Sequence, residues 1–171
     1  MNDLKECIRN IPDFPKQGIL FRDITTVLND KEKFKKIIDV LSERYADKKI
    51  DAVVAVESRG FIFGGPLAYN LGAGIVPVRK KGKLPCKTFS ATYALEYGED
   101  TLEIHQDAFK PGARILLIDD LLATGGTLSA TIELVKKLKG EIIEAAFLIE
   151  LSDLNGRAKL KDLPVYSMVQ Y

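Results

Sequence analysis

Apolar positions recur along this chain in two alternating patterns: short unbroken runs, and spacings of three and four. Ala52–Val56, Ile75–Val78, Ile115–Ile118 and the Ala145–Ile149 centre of Glu141–Glu150 are runs with no charged break. Such runs read as strands buried on both faces, as in a parallel sheet. Between them lie segments of helical period. Lys31–Tyr45 places Phe34, Ile37, Ile38, Leu41 and Tyr45 on one face, with Asp30 as its cap. Phe61–Leu71 follows the first run, and its Gly64 and Gly65 are expected to let it lie close to the sheet. Leu128–Leu138 follows the third run, with Gly140 as its C-terminal stop. This alternation predicts an α/β fold: a doubly wound, mainly parallel central sheet flanked by helices, in a single domain over residues 1–171.

The ends and the middle depart from that rhythm. Asp3 is expected to cap a short helix over Leu4–Asn10. Two prolines and a glycine keep Ile11–Gly18 out of regular structure, and Ile19–Ile24 reads as a short extended piece. Residues 1–28 therefore form either a hood over a site or a surface arm packed on the core. Ser90–Tyr97 and Thr101–His105 flank Gly98-Glu99-Asp100 and predict a projecting, mobile β-hairpin. Asp153–Leu160 reads as a short helix and Val165–Val169 as a last strand.

Composition narrows the classes. The chain has 171 residues, 46% apolar and 29% charged, and a net charge of +1. That balance carries no electrostatic footprint for nucleic acid or an anionic membrane. No apolar run approaches the roughly 20 residues of a membrane-spanning helix, and the amino terminus lacks an apolar signal region. Cys7 and Cys86 have no metal-ligand spacing and make no disulfide framework, so the cytoplasm is the expected compartment.

The chemistry concentrates at run ends. Asp119 and Asp120 follow the Ile115–Ile118 run, and Ala123-Thr124-Gly125-Gly126-Thr127 leads from them into a helix. A turn of small residues exposes backbone N–H groups where the helix dipole is positive, which suits a phosphate. Acids beside a phosphate make sense if they accept hydrogen bonds from sugar hydroxyls or hold magnesium. A phosphorylated ribose satisfies both halves; a capped junction with two solvated acids is the plainer alternative. A Walker-type ATPase is a poor fit, because no Gly-Lys-Ser/Thr follows the glycines. Glu57-Ser58-Arg59-Gly60 ends another run and reads equally as an exposed Arg–Glu pair or as a pyrophosphate turn. Arg79-Lys80-Lys81-Gly82-Lys83 puts four cations in five residues at the next run end. Such a run is ordinarily a solvated surface; beside a ribose site it is better placed to face pyrophosphate. His105, the single histidine, is assigned no role. Glu96-Tyr97 sits near the hairpin turn, where an acid can stabilise developing positive charge or manage a proton, or be a plain charged tip.

The Asp119–Thr127 segment closely resembles the phosphoribosyl pyrophosphate signature of the type I phosphoribosyltransferases. Phe14–Thr25, Glu57–Phe61, Arg79–Pro85, Leu95–Gly98 and Leu102–His105 narrow that resemblance to the adenine-using members, from about Ile11 to Tyr171. The resemblance implies transfer of 5-phosphoribose from 5-phosphoribosyl 1-pyrophosphate to adenine, giving AMP and pyrophosphate. It implies adenine stacked between Phe21 and Leu151 and read by main chain near Leu20 and Arg22. It places the 5′-phosphate on Ala123–Thr127, the ribose hydroxyls on Asp119 and Asp120, and Arg59 over base and pyrophosphate. Glu57, Ser58, Arg79, Lys80 and Lys83 fall to the pyrophosphate side, partly across a homodimer. Glu96, with Tyr97 beside it, is implied to handle the N9 proton. Magnesium (Mg2+) is implied to arrive with the pyrophosphate, with no direct protein ligand. Two rivals are a transferase for another base and a nucleic-acid-binding regulator of the same fold; the hood opposes the first, the near-zero charge the second.

Overall fold

The computed structural model describes residues 2–94, 98–160 and 163–171. Helix α1 (Asn2–Cys7) leads into β1 (Arg9–Ile11), which pairs antiparallel with β2 (Phe21–Asp23). The first helix thus stops three residues short of the expected Asn10. Its continuation is taken by the ribbon with β2, and Pro12 disfavours helix at the residue before it. Asp3 is not a cap: it lies in the first turn, and its carboxylate accepts from Lys36 at 2.8 Å and Lys33 at 3.3 Å.

After a single turn, α2 (Thr25–Leu28), comes α3 (Lys31–Tyr45), with the predicted bounds. The Asp30 carboxylate accepts from the N–H groups of Glu32 at 3.0 Å and Lys33 at 3.1 Å. Ile37, Ile38, Leu41 and Tyr45 are buried on its inner face, each aliphatic contributing roughly 1.5–3 kcal/mol.

The remaining elements are β3 (Ala52–Val56), α4 (Arg59–Leu71), β4 (Gly74–Lys80), β5 (Thr88–Ala94), β6 (Glu99–His105), β7 (Arg114–Leu122), α5 (Gly126–Lys137), β8 (Glu141–Glu150) and β9 (Val165–Gln170). Seven strands form one sheet in the order β5-β6-β4-β3-β7-β8-β9. The β4-β3-β7-β8-β9 stretch is parallel, and β6 and β5 join its edge antiparallel. The hairpin strands are therefore part of the sheet, with Ala91, Leu102 and Ile104 buried. The hairpin tip, residues 95–97, lies outside the described residues.

Alternate residues of the central strands serve opposite faces. Val53, Ala55, Leu116 and Ile118 join α3 and α4 in one core, while Val54, Val56, Ile115 and Leu117 join α5 in the other. Helices on both faces make the sheet doubly wound. Gly64 lets α4 approach: a Cβ there would stand 2.7 Å from the Ala55 Cβ. Gly65 does not share that role, since a Cβ on it would meet nothing within 4 Å.

Three boundaries differ from the sequence reading. β7 runs on through Asp119 and Asp120 to Leu122, because its ladder with β8 continues to Glu150. The stop of α5 is a Schellman motif in which Lys139, not Gly140, takes the positive φ of 59°. The Gly140 N–H reaches the Val135 carbonyl at 3.0 Å, and a Cβ on Gly140 would stand 2.8 Å from Val135. Asp153–Leu160 is two 3₁₀ turns, Ser152–Leu154 and Gly156–Lys159, parted at Asn155 by its φ of 50°.

Candidate active site

The sheet order reverses at β3: the chain passes from β3 by way of α4 to β4 on one side, while β7 lies on the other. Loops leaving the carboxyl ends of β3 and β7 therefore part and leave a crevice, where ligands of open α/β sheets bind. A cavity of about 240 Å³ occupies that place. It is lined by Glu57, Ser58 and Arg59 after β3, by Asp119, Asp120 and the whole Ala123–Thr127 turn, and by Lys80.

Gly125 caps α5 with a φ of 79°, a conformation an L side chain rarely takes. The first-turn N–H groups of α5 have no helical acceptor and carry the positive end of the dipole. The Ser129 hydroxyl donates to the Gly125 carbonyl at 2.9 Å and the Thr131 hydroxyl to that of Thr127 at 2.8 Å, fixing the turn from below. Such a geometry can hold a phosphoryl group.

The two acids differ. Asp120 is 4% exposed, and its carboxylate meets Arg59 Nε at 2.8 Å. Asp119 keeps part of its surface exposed, but its carboxylate is turned inward and accepts from the Asp120 N–H at 2.9 Å. Burial, then the neighbouring Asp120 charge, pushes Asp119 well above the usual carboxylate range. Burial also raises Asp120, against the opposing pull of Arg59. Acids in this state gain from a partner offering hydroxyl donors or cationic charge.

Arg59 joins the crevice to the hood. Its guanidinium lies 5.6 Å from the Phe21 ring centre, and Phe21 in turn meets Phe14 edge-on at 5.1 Å. Leu20 is exposed, and the Arg22 guanidinium stacks 3.8 Å over the Tyr171 ring. Leu151 follows β8, partly buried, its N–H donating to the Leu122 carbonyl at 2.9 Å.

The basic run divides. Lys80 lines the cavity and pairs with Asp100 at 2.9 Å. Arg79 and Lys83 turn to Glu57, which also accepts the Lys80 N–H at 3.0 Å. Burial alone would raise the Glu57 pKa, but Lys83, the Lys80 N–H and Arg79 together bring it down to about 2. Glu57 is thus a fixed anion holding its neighbours, and the peptide bond between it and Ser58 is cis. Glu96 and Tyr97 lie outside the described residues. His105 Nε2 is buried with no hydrogen-bond partner among the described residues. Among the described residues no cluster of three or more His, Cys, Asp or Glu side chains is placed to hold a metal ion.

Several contributors carry no local signature. Tyr93 and Leu102 of the hairpin line the cavity, and a Cβ on Gly126 would stand 3.0 Å from the Tyr93 ring. A Cβ on Gly60 would meet the Ile118 carbonyl at 3.0 Å, so that glycine lets α4 start against the end of β7. Only the tertiary packing shows these.

Comparison with known proteins identifies the family and the fold. Residues 23–170 match the phosphoribosyl transferase domain family. The adenine phosphoribosyltransferase of Trichlorobacter lovleyi is 58% identical over 171 residues, covering 100% of both chains. The crystal structure of the enzyme of that name from Thermoanaerobacter pseudethanolicus superposes with a TM-score of 0.96 at 50% identity, covering 99% of each chain. That from Saccharomyces cerevisiae, complexed with an imino-altritol bisphosphate and adenine, gives a TM-score of 0.92 at 44% identity, covering 98% of this chain and 97% of that one.

Proposed function

The chain belongs to the phosphoribosyl transferase family, and from that premise we infer its reaction and the part each residue plays. It is a pentosyltransferase of purine salvage: it moves 5-phosphoribose from 5-phosphoribosyl 1-pyrophosphate to N9 of adenine, giving AMP and pyrophosphate. The observation that carries the assignment of parts is Arg59. One guanidinium touches both the hood ring, Phe21, and the crevice acid, Asp120. A base on Phe21 and a sugar on Asp120 would be neighbours across it.

In this reading the Ala123–Thr127 turn holds the 5′-phosphate, and Asp119 and Asp120 accept from the ribose hydroxyls. Adenine packs between Phe21 and Leu151, with main chain near Leu20 and Arg22 answering its N1 acceptor and N6 donor. The Glu57-Ser58-Arg59 turn and Lys80 face the pyrophosphate. Arg79 and Lys83 turn toward it when the anion competes with Glu57. The bond from the anomeric carbon to pyrophosphate oxygen breaks as the bond to N9 forms on the opposite face, so the configuration inverts. Glu96, with Tyr97 beside it, takes the N9 proton, and the hairpin closes to exclude water.

Asp119 and Asp120 are only two oxygen donors and in this reading serve the ribose hydroxyls, which fits a magnesium ion carried in by the pyrophosphate with no direct protein ligand. When bound, such an ion would offset charge on the leaving pyrophosphate. Residues 1–171 act as one domain, with 1–28 as the hood, in a homodimer in the cytoplasm. An apolar stripe on α4, where Ile62 and the 87% exposed Tyr69 stand beside Pro66, supports burial against a second copy. No helix among the described residues is long and apolar enough to cross a membrane.

Steady-state assay with adenine, hypoxanthine and xanthine tests the base assignment. Adenine should be turned over far above the others; preference for either oxopurine would overturn it.

A further inference from the structure

Glu150 ends β8 and is 5% exposed, yet it is charged. Arg157 meets it with both arms of its guanidinium: Nε donates to Oε1 at 2.6 Å and Nη2 to Oε2 at 2.7 Å. Nη1 of the same arginine donates to the Val165 carbonyl at 2.8 Å, and Nη2 also reaches the Ser167 hydroxyl at 3.3 Å. Gln170 donates to Glu150 Oε2 at 3.3 Å. Arg157 is therefore bolted to the carboxyl end of β8 and to β9.

The residue before it, Gly156, presses on the phosphate turn. A Cβ on Gly156 would stand 2.2 Å from the Ala123 carbonyl oxygen, and one on Gly125 would stand 2.7 Å from the Gly156 carbonyl oxygen. The two glycines interlock backbone against backbone, with no side chain between them. Glu150 also pairs in register with Leu122, the residue just ahead of Ala123. The contacts thus close a loop: from Glu150 through Arg157 and Gly156 to the turn, and back through Leu122. A buried ion pair is a poor source of net stability, since desolvation offsets the attraction, but a bidentate one fixes geometry.

We propose that the Glu150–Arg157 pair is a positioning element for the phosphoribosyl donor, holding the Gly156 turn against Ala123 and Gly125 so that the sheet sets the height of the phosphate cradle. This rests on reading Ala123–Thr127 as the 5′-phosphate site. Arg157 touches no substrate; it acts through the Gly156 backbone. Its effect should fall on ligands carrying the 5′-phosphate and spare those that do not.

The test is calorimetric titration of ribose 5-phosphate and, separately, magnesium pyrophosphate into wild type, R157A, E150Q, G156A and T127D, with a melting curve for each. R157A and E150Q should weaken ribose 5-phosphate by roughly tenfold or more, as a small misplacement of binding groups does. G156A should weaken it further, and magnesium pyrophosphate should move less than about twofold. A merely structural pair would lower the melting temperature and leave ribose 5-phosphate affinity intact in the folded fraction; that result overturns the proposal, as does equal loss of both ligands. E150Q keeps the arginine and a hydrogen-bonding partner, so it remains informative if R157A does not fold. T127D separates the two levels. Ribose 5-phosphate binding that survives a carboxylate in the cradle overturns the phosphate assignment itself, whereas binding lost in T127D but kept in R157A and E150Q overturns only the brace.

Discussion

The cradle and the hood form opposite kinds of wall. The cradle, Asp119–Thr127, continues the end of a central strand, with Asp120, Leu122 and Gly125 buried and the Gly125–Gly156 interlock behind it. The hood is a ribbon of two three-residue strands, Arg9–Ile11 and Phe21–Asp23, carrying Phe14 at 50% exposure and Leu20 at 46%. Leu4, Ile8, Ile24 and Val27 root the segments on either side of the ribbon in the core, and polar links hold the ribbon itself: Arg9 Nη2 meets the Asp23 carboxylate at 2.9 Å, the same carboxylate accepts the Thr25 N–H at 2.9 Å, and the Thr26 hydroxyl donates to the Cys7 carbonyl at 2.6 Å. The Thr25 N–H, ahead of the other partners, holds Asp23 below its ordinary carboxylate range. A polar group with fixed geometry belongs on the rigid wall. An exposed apolar surface, suited to a flat base, sits on the ribbon.

If this division is right, damage to each wall should appear in a different kinetic constant. The largest effect is expected from replacing both Asp119 and Asp120 with Asn. Two charge-assisted hydrogen bonds at about 1.5–3 kcal/mol each amount to a loss of over roughly a hundredfold in donor kcat/KM. The adenine KM should barely move. An unchanged donor KM in the double variant would break the division at its firmer side.

Phe21→Ala should do the reverse and less strongly. Base–aromatic stacking of about 1–3 kcal/mol predicts an adenine KM raised on the order of tenfold, with donor KM within about twofold. Because the ring is only half buried, the melting temperature should hold nearly constant. A donor effect as large as the adenine effect would show that hood and cradle are one unit.

The smallest effect concerns stability. Asp119 has a folded pKa raised above its unfolded value by burial and by Asp120. Its ionisation therefore opposes folding, an effect absent below the unfolded pKa and complete above the folded one. At neutral pH Asp119→Asn should raise the melting temperature of the unliganded protein by roughly 2–4 °C, the shift that ~1 kcal/mol gives a domain of this size. The same sign predicts that donor affinity weakens as pH falls through that raised pKa. A lower melting temperature, measured by calorimetry, would mean that the acid contributes structure instead of strain.

The two walls also differ in how far they could be read in advance. In the cradle, strand, acids, small-residue turn and helix are contiguous, so local pattern suffices. α3 is legible because fifteen residues hold enough repeats to fix a period, and β8 because Ala145–Ile149 is an unbroken apolar run. β1 is three residues, too short for any periodicity, and its identity rests on β2 twelve positions away. Asp119 and Asp120 belong to β7 because β8 continues beside them, which no residue in the turn announces. Lys139 takes the left-handed position that glycine usually fills because Gly140 is needed against Val135 and Phe109. Gly156 has no local signature, since the carbonyl that requires it lies at Ala123.

The most direct test of the account is an experimental structure of the AMP complex. The phosphate is expected within hydrogen-bonding distance of the Thr124–Thr127 N–H groups, the ribose hydroxyls on Asp119 or Asp120, and the purine against Phe21. A phosphate lodged instead on the Glu57–Gly60 turn or among Arg79, Lys80 and Lys83 would contradict it.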